Sequence, residues 1–208
     1  MLIMGRLLKS DIKKIFSDSI RHEGEELLRI AEQIDKETAV AVADEIESCK
    51  GKIITAGCGT SGVAARKIAH TLSCVGVPAF YLTPSDANHG GMGVVKHDDL
   101  LILVSKGGNT SELETIAESS KKKGCRIVFV TENPESILAE WSDIVFKIKI
   151  NSESDRLGVL ATTSTMAVIA AFDAIAVVIE EETSYSGKDF LLNHPGGEVG
   201  QILKNEQN

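Results

Sequence analysis

Close cysteine pairs and extended basic blocks are both missing from this 208-residue chain. Its four cysteines, Cys49, Cys58, Cys74 and Cys125, are scattered. That spacing fits neither a zinc site nor a redox motif, and scattered thiols in a chain of this size point to a reducing cytoplasm. Net charge is −8 with no extended basic block. Non-specific nucleic-acid binding is thereby disfavoured, because basic side chains must replace the condensed counterions. A small anion remains admissible, since backbone N–H groups and hydroxyls can build a local phosphate site. The amino terminus, MLIMGRLLKSDIKKIF, lacks the apolar core and small-residue cleavage site of a signal peptide. Internal repeats and low-complexity segments are absent as well. The most apolar stretch, Val159 to Ile179, opens on Thr162, Thr163, Ser164 and Thr165 and contains Asp173. It reads as a buried helix or an oligomer interface rather than a membrane span. No cluster calls for a metal or a cofactor, and none is expected.

What is present describes an ordinary globular chain, 43% hydrophobic and 25% charged. A chain of this length can bury roughly 70% of the surface exposed on unfolding, so it needs no staple. Residues 10–49 read as two helices. The first carries Ile12, Ile15, Phe16, Ile20, Leu27, Leu28 and Ile34, and the second runs from near Asp35 to Gly51. Short β-rich runs follow at 52–56, 79–82, 99–104, 125–131 and 143–148. Helical segments separate most of them at 61–75, 111–123 and 134–141, with a long helix near 160–182 and a short one after Gly187. Parallel strands need crossover connections, so this alternation predicts an α/β fold. The expected form is a three-layer α-β-α sandwich with a five-stranded, doubly wound parallel sheet. One domain is expected over 1–208, with a helical extension over about 1–49 and a core over about 50–208.

In such a sheet ligands bind outside the carboxyl ends of the strands. That places interest on loops 57–61, 83–93, 105–110 and 149–158. The first holds GCGTSG, residues 57–62. As G-x-G-x-x-G it is a dinucleotide fingerprint, but the acidic residue wanted at the end of the second strand is replaced by Leu82-Thr83-Pro84-Ser85. The same turn, through Gly59, Thr60 and Ser61, suits a compact anion at a helix N-terminus, or Ser61 simply caps the helix. The second loop, SKGGNTSE at 105–112, adds Ser105, Lys106, Gly107 and Thr110. Two such loops on neighbouring strands suit a phosphate better than an extended dinucleotide. Glu112 has two readings, catalytic or structural, because Asn109 and Glu112 also spell a capping box. A third cluster, ATTSTMA at 161–167, puts Thr163 and Ser164 at the start of the apolar helix, placed to meet ligand or carboxylates. Of the histidines, His89 in DANHGG and His194 in NHPGG stand out, whereas His22, His70 and His97 read as surface residues.

Together these motifs resemble the sugar isomerase (SIS) domain family, and most of all its arabinose 5-phosphate isomerase branch. The likeness rests on the turn 57–62, N-H-G around His89, the 105–112 loop, L-G-x-x-x-T-T-S-T at 157–165 and H-P-G-G at 194–197. The resemblance implies an aldose–ketose isomerase acting on a phosphosugar, in the cytoplasm, as a homo-oligomer of four chains. It implies catalytic roles for Glu112, Glu153, His89 and His194, with a neighbouring subunit supplying at least one histidine. It implies phosphate contacts from Thr60, Ser61, Ser105 and Thr110. The branch usually has a lysine where this chain has Thr60 and S-x-S-G where it has Ser105-Lys106-Gly107-Gly108, so Lys106 is expected to restore the missing charge. The paired cystathionine-synthase-type domains of many members do not follow H-P-G-G here. A sugar-phosphate sensor without catalysis is the alternative, and neither nucleic acid nor membrane is an expected partner.

Overall fold

A computed structural model describes residues 7–194 and Gly196. Two helices come first, α1 (Lys9–Gln33) and α2 (Lys36–Ser48). The break falls at Ile34-Asp35 because the Asp35 carboxylate accepts the amides of Glu37 (3.1 Å) and Thr38 (3.3 Å), capping α2. Five strands follow: β1 (Ile53–Gly57), β2 (Ala79–Tyr81), β3 (Leu100–Val104), β4 (Arg126–Thr131) and β5 (Ile144–Lys147). They are all parallel, in the order β2-β1-β3-β4-β5. The expected fold is therefore the observed one.

Alternation along the strands divides the core in two. Leu100, Ile102 and Val104 of β3 face α1, α2, α3 (Gly59–Cys74) and α7 (Thr163–Glu182). Leu101 and Leu103 face α4 (Pro84–Ala87), α5 (Ser111–Lys122) and α6 (Ile137–Glu140). Side chains point to opposite faces every second residue, so a strand buried on both sides is apolar throughout. The 20-residue α7, with mean hydropathy 1.7, is long enough to cross a bilayer. Here its Ala167, Phe172, Ile175, Ala176 and Ile179 are buried in the core, and Phe172 meets Phe146 edge-on with centroids 6.1 Å apart.

Two local expectations need correction. The 134–141 segment forms only the single turn of α6. Upstream of it the Thr131 hydroxyl accepts the Asn133 amide (3.0 Å) and Asn133 Oδ1 accepts the Glu135 amide (3.2 Å), side-chain bonds that compete with helix. The 83–93 loop is partly ordered into α4 and a 3-10 turn at Gly91–Val94. A last helix, α8 (Gly187–Asn193), starts on a capping box between Ser186 and Asp189.

The strand order reverses between β1 and β3. Helices leave those two strands on opposite faces of the sheet, opening a crevice at their carboxyl ends. Both hydroxyl–glycine loops flank that crevice.

Candidate functional site

The first loop owes its shape to Gly57 and Gly62. A Cβ on Gly62 would stand 2.6 Å from the Gly57 carbonyl oxygen, and one on Gly57 would stand 2.8 Å from the Ser61 backbone. These two glycines let strand and helix touch, while Gly59, at φ +56°, turns the chain between them. The expected Ser61 cap is not formed. Cys58 occupies the N-cap position of α3 without a side-chain bond, leaving Thr60 and Ser61 in the first turn beside the crevice.

The second loop is fastened from within. The Ser105 hydroxyl accepts the Gly108 amide (3.2 Å) and pairs with the Thr110 hydroxyl (2.9 Å). Asn133 donates to the Gly107 carbonyl (3.3 Å), and the Thr131 hydroxyl donates to the Lys106 carbonyl (3.0 Å). Gly108 sits at φ +75°, and a Cβ there would strike the Ser136 side chain. The capping box expected between Asn109 and Glu112 is absent. Thr110 is the N-cap of α5, and Asn109 instead accepts the Ile137 amide (3.4 Å), drawn away by the turn before α6. Glu112 is thus released from a structural bond and lies exposed, taking a hydrogen bond from the Ser111 hydroxyl (3.1 Å).

Above these loops Lys106 and Glu153 meet at 2.6 Å. The Glu153 side chain is only 1% exposed. It also accepts the amides of Thr162 (3.0 Å) and Ser164 (3.1 Å), at the N-terminus of α7, and the Ser164 hydroxyl. Burial alone would push this carboxyl up. Lys106, the Ser164 hydroxyl and the two amides outweigh it and hold the group at about 2. Glu153 is therefore a fixed anion on a helix dipole, and a poor proton acceptor as arranged. The hydroxyl cluster at 162–165 does meet a carboxylate, through Ser164. Thr163, expected at the ligand, is instead fully enclosed and does not line the cleft, because it turns inward as α7 begins.

The resulting cleft offers about 420 Å³ of space, part of it open to solvent. Among the expected binding residues it is lined by Thr60, Ser61, Lys106 and Ser164. Ser105, Gly107 and Thr110 stand one step back in the second loop. Thr131 and Glu132, at the end of β4, also line it. Sequence reasoning misses that loop because Glu132 sits in an unremarkable T-E-N-P turn.

His89 and Glu112 are together, but on the α4–α5 side of the sheet edge. Asn88 donates to the Glu112 carbonyl (3.4 Å), and His89 is exposed beside it. Burial first, and then the Glu112 carboxylate, push the neighbouring Cys58 thiol up.

His194 is elsewhere. It ends α8, which packs beside the C-terminus of α3, where the Tyr185 hydroxyl donates to the Cys74 carbonyl (2.8 Å). The cleft lies at the other end of that 16-residue helix, a span of about 24 Å at 1.5 Å per residue. Within one chain His194 does not reach it, because α8 docks at the amino edge of the sheet. The ring stacks on Phe190 at 3.9 Å, and Nδ1 lies 3.0 Å from the Phe190 carbonyl. A carbonyl only accepts, so Nδ1 carries the proton and Nε2 is the unprotonated nitrogen. Pro195 and Gly197 of the same motif lie outside the described residues.

The helical extension proves to be part of the site's frame. Glu26 of α1, buried and paired with Arg29 (2.8 Å), accepts the Asn151 amide (2.8 Å) and side chain (3.0 Å). Arg29 donates to the Lys149 carbonyl (2.8 Å), and His22 Nε2 lies 2.9 Å from the Ser152 carbonyl. These bonds clamp the segment carrying Glu153. His22 reads as a mere surface residue in the sequence, since nothing local marks a contact 130 residues away.

An α/β domain with hydroxyl loops at the switch point defines the class, and the comparisons agree. The SIS domain family matches residues 45–178, and this chain belongs to it. Arabinose 5-phosphate isomerase KpsF of Escherichia coli is 35% identical over 89% of this chain and 58% of its own length. KdsD of Escherichia coli K12, also an arabinose 5-phosphate isomerase, is 32% identical over 93% of this chain and 58% of its own. The chain spans little more than half the length of these curated relatives. A solved Listeria monocytogenes protein, proposed to be a sugar-phosphate isomerase, superposes with a TM-score of 0.89 at 43% identity, covering 92% of this chain and all of its own. The c3406 protein of E. coli CFT073, solved in complex with arabinose 5-phosphate, gives 0.86 at 30% identity, covering 91% of this chain and all of its own.

Proposed function

We propose that this chain is a cytoplasmic sugar-phosphate isomerase interconverting an aldose phosphate and a ketose phosphate, with arabinose 5-phosphate and ribulose 5-phosphate the leading pair. The observation that carries the proposal is the grouping of Thr60, Ser61, Lys106 and Ser164 around one cleft, with Glu153 anchored beneath. The similarity to KpsF and to the sugar-phosphate-bound c3406 protein supports the choice of sugar.

The phosphate is taken to sit at the N-terminus of α3, against Thr60, Ser61 and the Ser105–Thr110 loop, with Lys106 supplying the positive charge. Gripping the remote phosphate holds the sugar while a proton moves between adjacent carbons. Glu153, as a fixed anion, orients Lys106 and the start of α7. His194 of a neighbouring chain completes the site with its unprotonated Nε2, which suits a homo-oligomer, in keeping with the expected tetramer. Glu112 and His89, on the α4–α5 side of the sheet edge, are taken to contact the sugar end of the substrate. A panel of pentose and hexose phosphates followed by NMR tests this reading. Aldose–ketose exchange on one of them supports it, and tight binding without exchange on any would make the protein a sensor instead.

A further inference from the structure

Glu132 follows the last residue of β4, and its amide donates to the Lys106 carbonyl at 3.1 Å, so it rides on the same framework as the second loop. Its side chain is 20% exposed and lines the cleft with Thr60, Ser61, Lys106 and Ser164. One oxygen, Oε1, is enclosed without a hydrogen-bond partner among the described residues. It stands 3.7 Å from the Lys106 ammonium, beyond hydrogen-bond reach, because that ammonium is drawn to Glu153 at 2.6 Å. A buried carboxylate oxygen left unpaired is a standing cost to the fold, and such groups gather where function uses them.

The charged surroundings sharpen the contrast between the two carboxylates. Burial pushes Glu132 above the ordinary carboxylate range. Lys106, the Ile150 amide and Lys149 offset this only in part, and Glu153 opposes them. Two carboxyls around one ammonium are thus driven apart, Glu153 down and Glu132 up. Groups separated in this way take opposite roles in proton transfer. A carboxylate held at about 2 is too weak a base to draw a proton from carbon; the other is the better acceptor.

Resting on the isomerase reading above, we propose that Glu132 is the catalytic residue that carries the substrate's proton between C2 and C1. In the aldose-to-ketose direction Glu132 takes the C2 proton. The C2–H electron pair forms the C1=C2 double bond, and the carbonyl π pair moves onto O1, leaving an enediolate beside Lys106. The O2 proton then passes to O1, a transfer that falls to His194 of the neighbouring chain. Finally the O2 lone pair re-forms a carbonyl at C2, and the double-bond pair takes the proton from Glu132 at C1. No oxidant or metal enters the balance.

The test compares wild type with Glu132→Gln, which keeps shape and loses proton capacity. Arabinose 5-phosphate affinity is read by calorimetry, turnover by NMR, and kcat/KM across pH. The expected result is unchanged affinity, turnover lower by ~10²–10⁴-fold and loss of the acidic limb of the pH profile. Turnover within about threefold of wild type overturns the proposal, as does reduced turnover with that limb intact. If Glu132→Gln fails to fold, Glu132→Asp serves. It keeps a carboxyl, so reduced turnover with the acidic limb still present supports the proposal, and unchanged turnover refutes it. A wild type without exchange on any phosphosugar would instead remove the isomerase reading, and this step with it.

Discussion

Lys106 and Glu153, separated by 47 residues in the chain, form an ion pair at 2.6 Å above the carboxyl ends of the sheet. The pair joins the loop after β3 to the start of α7, so two elements far apart in sequence share one charge contact. It also decides which carboxylate in the cleft is fixed as an anion and which keeps an oxygen without a hydrogen bond among the described residues.

The first prediction concerns the cation. Replacing Lys106 with Ala removes the positive charge proposed to hold the phosphate. Charge-assisted hydrogen bonds contribute about 1.5–3 kcal/mol, so phosphosugar affinity should fall by roughly ten- to a hundredfold. Calorimetric titration with arabinose 5-phosphate measures it, and affinity unchanged from wild type would contradict the role given to Lys106.

Glu153 makes stability depend on pH in a defined direction. Its folded carboxyl titrates at about 2 against an ordinary 4.5. A depressed carboxyl contributes stability that is fully present above 4.5 and is lost as pH falls toward 2. The contribution is about 3 kcal/mol, of which about 2 is lost by pH 3. Urea unfolding at pH 7 and pH 3 should show this loss in wild type and a shallower slope in Glu153→Gln. An identical slope in both would show that the pair is not formed.

The clamp from α1 is testable without any assay of activity. Glu26→Ala leaves the Asn151 amide unpaired and frees the segment that holds Glu153. Amide hydrogen exchange should quicken across residues 150–156 while β4 stays protected. Uniform exchange in both regions would mean that α1 does not fasten the site.

Most of the fold was open to reading, and the reason is periodic. Apolar runs such as Leu100 to Val104 are buried on both faces, and their alternation with helical segments marks a parallel sheet. The break at Asp35 was visible because a cap is a local signal. The site was less visible, because its decisive contacts are not local. Glu153 could be suspected from its motif, yet its pairing with Lys106 and the α7 amides is a product of the folded chain. Glu132 lay in a loop with no motif, and its character comes from burial rather than from its neighbours in sequence. His194 announced itself clearly, but sequence alone does not show that it ends at the opposite edge of the sheet from the cleft.

That remoteness of His194 yields a complementation experiment. His194→Ala alone should lower turnover by ~10²–10⁴-fold. Mixing it with Glu132→Gln, after co-refolding, should restore part of the activity, because one hybrid site combines an intact cleft with an intact histidine. No restoration would place the histidine outside the neighbouring chain's site.

The central claim is isomerisation itself. Arabinose 5-phosphate incubated with the protein in deuterated buffer, and followed by proton and carbon NMR, addresses it directly. The account predicts growth of ribulose 5-phosphate signals with deuterium appearing at C1 or C2. Binding of the sugar phosphate with no ketose and no deuterium at either carbon, over hours at micromolar protein, would contradict it.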